Sequence, residues 1–150
     1  MRNFVIVFLI LIFNGCSNMN LSDYKDKKPL LKLEEYFEGK TIARGVFEDL
    51  FGNIKKSFKV LIDGTWDGQF LVLKEDFIYD DGSKDYREWK IEKDKNNPNA
   101  YSGYAEGVIG IASGSVSGNA FNWKYAFKLQ VGKNKVNVKF DDWMLSLIHI

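Results

Sequence analysis

Apolar and polar residues alternate along most of the chain from Thr41 onward, which is the pattern of antiparallel strands with one buried and one wet face. The clearest run is 121–129, and a turn at 132–134 and a second alternating run at 136–140 follow it. The stretch 59–91 predicts three further strands separated by Asp-Gly pairs, which favour tight hairpin turns. The repeated pattern predicts an all-β fold, an antiparallel up-and-down β-barrel or a strongly curved sheet.

The hairpin at 80–82 predicts a specific register. If Asp80, Asp81 and Gly82 form the loop, Glu75 lies opposite Arg87, on the same apolar face as Trp89. We expect a structural ion pair that sets the strand register, although the pair could instead orient the polar head group of a ligand. Replacing Glu75 by alanine is then expected to cost about 3–5 kcal/mol, if Arg87 is left buried and unpaired.

Other stretches are less regular. Residues 29–37 predict a short amphipathic segment, because Leu30, Leu33 and Phe37 are spaced for one helical face. Residues 41–48 predict the first strand, with a bend or bulge at Gly45. The Gly- and Ser-rich run 107–118 favours strand–turn–strand over a packed membrane helix, because strand-like sequence flanks it.

The N-terminus has the features of a targeting segment. Arg2 precedes an apolar run at 4–13, which is too short to span a bilayer and typical of a signal peptide. Cys16, the only cysteine, follows Phe13-Asn14-Gly15, which resembles the lipobox of bacterial lipoproteins. We expect a lipoprotein signal peptide at 1–15, forming a helix, then lipidation of Cys16 and a flexible tether at 16–28. The alternative is an ordinary secretory signal with a stray cysteine.

Ser17 after the lipidated cysteine resembles sorting to the outer membrane, so we expect a lipid-anchored protein on its periplasmic face. The formal charge is +1 without a basic stripe, which argues against nucleic-acid binding. One cysteine and one histidine nearly exclude zinc sites and Cys- or His-based catalysis, and no metal or other cofactor is expected.

Aromatic residues are the candidates for ligand binding. Five of them share apolar strand faces and could line a cavity for an acyl chain, as eight-stranded barrels allow. They are Trp89, Phe121, Trp123, Tyr125 and Phe127. A plain hydrophobic core is the alternative. Asp141 and Asp142 are adjacent and point to opposite faces, so they predict no catalytic dyad, and no catalytic residue is expected.

Four motifs resemble one family of bacterial lipoproteins, known as domain of unknown function 3833. They are "LEEYFEGKTIARGVFEDLFGN", "EDFIYDDGSKDYREW", "YAEGVIGIASGSVSGNA" and "FDDWM". The resemblance implies a lipocalin- or calycin-like β-barrel at 29–144. The family continues past the equivalent of Met144, whereas "LSLIHI" at 145–150 resembles a non-native tail, so we expect a C-terminally truncated copy and an incompletely closed barrel.

These features predict a membrane-anchored lipoprotein that binds or shields an apolar, lipid-like molecule in the cell envelope. Two alternatives stay open. The first is an envelope assembly factor that docks a protein, for which the sequence indicates no partner. The second is an enzyme of lipid metabolism that uses Glu75 and one of the carboxylates at 141–142.

Overall fold

The computed structural model describes residues 19–131 and 133–146, without the Val131 side chain. Eight antiparallel strands form one sheet in which each strand pairs with its neighbours in sequence. They are β1 (Gly39–Glu48), β2 (Ile54–Trp66), β3 (Phe70–Tyr79), β4 (Lys84–Lys93), β5 (Ala100–Ala105), β6 (Val108–Ser117), β7 (Ala120–Val131) and β8 (Asn134–Leu145). The sheet is strongly curled into a half-barrel, so the predicted all-β fold class is confirmed.

The inner face of the sheet forms the core, because alternate side chains along each strand point inward. Gly82 has a φ of 78° in the turn between β3 and β4, a conformation that glycine adopts without steric cost. This turn sets the predicted register, with Glu75 opposite Arg87. The buried apolar side chains include Ile62, Leu71, Leu73, Trp89, Ile91, Tyr101, Phe121, Trp123 and Tyr125.

A short helix, α1 (Leu33–Tyr36), covers one end of the half-barrel. Leu33 is 0% exposed and Phe37 is also buried, whereas Leu30 lies in solvent, so only part of the predicted apolar face of 29–37 is used. Glu34 accepts a hydrogen bond of 2.8 Å from the Tyr101 hydroxyl and also forms an ion pair with Lys93. This end, where β2–β3, β4–β5 and β6–β7 are joined, is called the closed end below.

The backbone of α1 packs directly against β2. A Cβ atom on Gly64 would overlap the carbonyl oxygen of Phe37, so the chain needs glycine there. Replacing Gly64 by alanine is therefore expected to lower the free energy of unfolding by about 1–3 kcal/mol, the usual cost of overpacking. Urea denaturation measures the loss. Asp63→Ala, on the exposed face of the same strand, is the control and should cost clearly less.

The N-terminal stretch also contacts the sheet at the closed end. Leu21–Tyr24 form a single 3-10 turn inside the segment expected to be a tether. The Tyr24 ring lies 6.0 Å from the Trp143 ring, and the Leu31 amide donates a 2.8 Å hydrogen bond to the Gly118 carbonyl. From residue 21 onward the chain therefore lies against the barrel rather than extending from it. Cys16 and residues 1–15 lie outside the described residues.

The opposite end is open. Within the described residues, β1 and β8 are the edges of the sheet and do not pair with each other. The boundary between β1 and β8 is called the seam. Side chains of the two strands meet across it, since the ring centroids of Phe47 and Phe140 are 6.1 Å apart. The side chains around the open end are only half-buried, among them Phe47, Phe58, Tyr79, Phe127 and Phe140. These five residues are called the aromatic rim.

The run 107–118 is β-structure as predicted, since β6 is followed by a turn at 118–119 and then by β7, with a register shift in β6 between Ile109 and Ser113. One local prediction needs correction. The first strand has its register shift between Phe47 and Glu48, not at Gly45. Gly45 instead allows the Phe58 ring to pack closely on β1, because a Cβ atom at this position would overlap that ring. No helix among the described residues is both long enough and apolar enough to cross a membrane.

Candidate functional site

Four strands bring polar side chains together inside the half-barrel. Glu75 on β3, Arg87 on β4, Tyr125 on β7 and Asp142 on β8 form this polar cluster. Arg87 Nη1 donates a hydrogen bond of 3.3 Å to the Tyr125 hydroxyl. That hydroxyl donates in turn to Asp142 Oδ2 at 2.9 Å. The curl of the sheet brings β7 and β8 across from β3 and β4, so residues far apart in sequence share one site.

The predicted ion pair between Glu75 and Arg87 is corrected by this geometry. The two residues are cross-strand neighbours as expected. Among the described residues, however, no ion pair within 4.0 Å joins them, and Arg87 bonds to Tyr125 instead. The condition attached to the alanine prediction is therefore not met, since removing Glu75 does not leave the guanidinium without a partner.

Glu75 is the most unusual titratable group of the cluster. Its side chain is 7% exposed. The pKa of Glu75 is raised to about 7, mainly by burial; the Arg87 charge opposes the change and the nearby Asp142 charge adds to it. A carboxyl with this pKa exchanges its proton close to neutral pH, as a general acid or base must.

The other members of the cluster share this desolvation. Burial raises the pKa of Asp142, although the Tyr125 hydrogen bond and Arg87 partly offset the effect. Burial also raises the pKa of the Tyr125 hydroxyl, and the neighbouring Asp142 charge acts in the same direction. At neutral pH Tyr125 is therefore a neutral hydroxyl that links Arg87 to Asp142 by hydrogen bonds.

Arg87 also contacts two aromatic rings. The centre of its guanidinium lies 5.5 Å from the Phe77 ring centroid and 4.9 Å from the Phe127 ring centroid. Cation–π contacts of this kind stabilise a desolvated arginine. The guanidinium thus stands between the dry core at the closed end and the aromatic rim at the open end.

A side opening in the wall of the half-barrel gives access to Arg87. Strand β5 has only six residues, so it pairs with β4 from Trp89 onward and leaves residues 84–88 without a neighbour on that side of the described sheet. A pocket of about 140 Å³ lies there. Its lining consists of Asp85, Tyr86, Arg87, Glu88, Glu106 and Phe127. Glu75 is not among these residues, so acid–base chemistry by Glu75 on a molecule in the pocket has no direct geometric support.

The predicted ligand-binding residues divide into two groups. Trp89, Phe121 and Trp123 are packed in the core, with the Trp89 and Trp123 ring centroids 5.5 Å apart. Tyr125 belongs to the polar cluster, and only Phe127 lines the side opening. The structure therefore favours the core alternative for the first three and leaves Phe127 as the accessible member.

The sequence left open which of Asp141 and Asp142 points inward, and the structure places Asp142 in the cluster. Its position was visible in the alternation, because Val136, Val138 and Phe140 share its strand face. No group of three or more His, Cys, Asp or Glu side chains in the described part of the chain is arranged to hold a metal ion.

Comparison with known proteins supports one assignment. No curated protein matches the chain, and no solved structure does either. One family model matches residues 10–149, which is nearly the whole chain, under the description "Protein of unknown function (DUF3833)". The chain therefore belongs to the DUF3833 family.

Proposed function

We propose that this chain is a membrane-anchored lipoprotein whose half-barrel binds an amphipathic, lipid-like molecule. One observation carries the proposal: the side opening presents a guanidinium and an aromatic ring next to each other. Arg87 offers charge and hydrogen bonds to a polar head group, and Phe127 offers an apolar surface to a hydrocarbon chain. Ligand sites commonly combine an apolar lining with a few placed polar groups.

The size of the opening limits how such a molecule binds. About 140 Å³ holds a head group or the end of an acyl chain, but not a whole lipid. We expect the rest of the lipid-like molecule to lie along the aromatic rim. The side chains of the rim are half-buried and thus keep apolar surface in contact with water. Covering that surface is the favourable term in binding, since apolar area removed from water contributes about 25 cal/mol per Å².

The membrane anchor is part of the same proposal. Cys16 lies at the end of an apolar run, and the first described residues after it lie against the closed end of the half-barrel. An acylated Cys16 would hold the closed end near a membrane and leave the open end and the side opening accessible.

A binding titration tests the ligand proposal. The full chain is mixed with a fluorescent fatty-acid probe and, separately, with a fluorescent lysophospholipid probe. Replacing Phe127 by serine removes the apolar wall of the opening and is expected to weaken binding of at least one probe by about tenfold, or about 1.4 kcal/mol. Serine at Ile111, which is exposed on β6, is the matched control and should leave binding unchanged. The proposal fails if neither probe binds, or if the two variants bind equally.

A further inference from the structure

The loop between β1 and β2 carries two large apolar side chains in full contact with water. Leu50 is 102% exposed and Phe51 is 89% exposed. Hydrogen bonds within the loop stabilise its conformation. Asp49 Oδ1 accepts them from the backbone amides of Phe51 at 2.9 Å and Asn53 at 3.0 Å. Lys55 adds an ion pair of 2.8 Å with the same carboxylate. A turn built in this way holds the two side chains outward.

The hairpin of β7 and β8 adds positive charge at the same end of the molecule. Residues 126–140 contain four lysines and no acidic residue. The four are Lys128, Lys133, Lys135 and Lys139. None of them takes part in an ion pair within the described residues. Two apolar side chains of this hairpin, Leu129 and Val136, are exposed as well.

The seam between β1 and β8 places the loop and the hairpin side by side. Phe47 on β1 and Phe140 on β8 are in ring contact at 6.1 Å. From Phe47 the chain continues directly into the loop, and the part of β8 that precedes Phe140 extends toward the open end. The loop and the end of the hairpin therefore both project at the open end, on the two sides of this seam. Their exposed residues are together called the open-end tip, which comprises Leu50, Phe51, Leu129, Val136, Lys128, Lys133 and Lys135.

We propose that the open-end tip docks on an anionic lipid bilayer, with the Leu50 and Phe51 side chains inserted among the lipids. A bilayer accepts projecting apolar side chains without a complementary groove, which a protein partner would have to supply. Lysines around the inserted side chains complement the negative charge of the lipid head groups. The docking surface consists of described residues and lies outside the side opening, so the inference goes beyond the proposed ligand site.

The N-terminal segment and the open-end tip lie at opposite ends of the molecule. The N-terminal segment reaches the sheet at the closed end, where Tyr24 contacts Trp143. If the N-terminus is anchored, as the proposed function holds, the open-end tip points away from its own membrane. The protein then bridges two bilayers, and bridging can be measured separately from anchoring.

The experiment uses the full chain anchored in neutral phosphatidylcholine vesicles and acceptor vesicles that contain phosphatidylglycerol. Flotation of the first vesicles alone reports the anchor, and capture of labelled acceptors reports the open-end tip. We expect capture by the unaltered chain and a loss of about tenfold in the double variant Leu50→Ser and Phe51→Ser. The double variant Lys133→Glu and Lys135→Glu should weaken capture, and added salt should do the same because it screens surface charges.

Ile111→Ser, which removes an exposed apolar side chain far from the loop in sequence, should capture acceptors normally. Because Leu50 and Phe51 are exposed, their serine variants should keep the melting temperature of the unaltered chain, so a loss of capture would not reflect unfolding. Three results would overturn the proposal. They are anchored protein without capture, equal capture by the serine variant, and equal capture of phosphatidylcholine acceptors.

Discussion

Replacing Glu75 by glutamine is expected to stabilise the protein at pH 8 by about 3 kcal/mol, the free energy that corresponds to a carboxyl pKa shifted from its ordinary value to about 7. Burial raises the pKa of Glu75 in the folded state, so the folded protein keeps a proton that the unfolded chain releases. The free energy of unfolding should therefore decrease as the pH rises from about 4.5 to about 7. Glutamine is neutral at every pH and removes most of this slope.

Urea denaturation at pH 5, 6, 7 and 8 measures the effect. Glu88→Gln is the matched control, because Glu88 is exposed on the neighbouring strand, and its curve should run parallel to that of the unaltered protein. Asp142 contributes a slope of the same sign, since burial raises its pKa as well. A protein that is more stable at pH 8 than at pH 5, or a glutamine variant with an unchanged slope, would show that folding does not raise the pKa of Glu75.

Replacing Trp123 by alanine is expected to lower the free energy of unfolding by about 3–5 kcal/mol, the usual cost of removing a large aromatic side chain from a core. Trp123 is 2% exposed, and its ring centroid lies 5.5 Å from that of Trp89 and 5.4 Å from that of Phe121. Alanine at this position would leave a cavity between these rings.

Trp143→Ala is the natural comparison, because Trp143 is only half-buried and contacts Tyr24 at the outside of the closed end. Trp143→Ala should lower the free energy of unfolding clearly less than Trp123→Ala does. The sequence left open whether Trp123 lines a ligand cavity or belongs to the hydrophobic core. Thermal and urea unfolding of both variants decide between these two interpretations. If Trp123 lined a ligand cavity, alanine would weaken probe binding and leave stability nearly unchanged.

The parts of the fold that depend on local patterns were predictable from the sequence. Alternation along 121–129 identified the buried face of β7, and the loop at Asp80–Gly82 gave the register that places Glu75 opposite Arg87. Both features depend on a few consecutive residues, since side chains alternate with a period of two and turn type sets hairpin register.

The candidate site depends on long-range geometry, which alternation does not encode. The curl of the sheet brings Tyr125 within hydrogen-bonding distance of Arg87, so the guanidinium turns to the tyrosine rather than to Glu75. The side opening exists because β5 is six residues long while β4 has ten, and strand ends are among the features least visible in a sequence. Of the five aromatic residues predicted to bind a ligand, only Phe127 lines this opening.

The polar cluster also shows why a carboxylate on an apolar strand face does not identify a catalytic residue. Glu75 carries a perturbed pKa, which is common at active sites. The pocket nevertheless reaches Arg87 and Phe127 and not Glu75. The cluster therefore acts as a desolvated support for Arg87, and in the proposed function the residues around the side opening recognise the ligand.

Native mass spectrometry of the full chain, purified gently from the membranes of the cells that make it, tests the ligand proposal most directly. We expect a protein that carries one lipid-like molecule in addition to the acyl groups on Cys16, and we expect the Phe127→Ser variant to lose that molecule while keeping the acyl groups. A bare protein in both preparations, which also takes up no added fatty acid or lysophospholipid, would contradict the account.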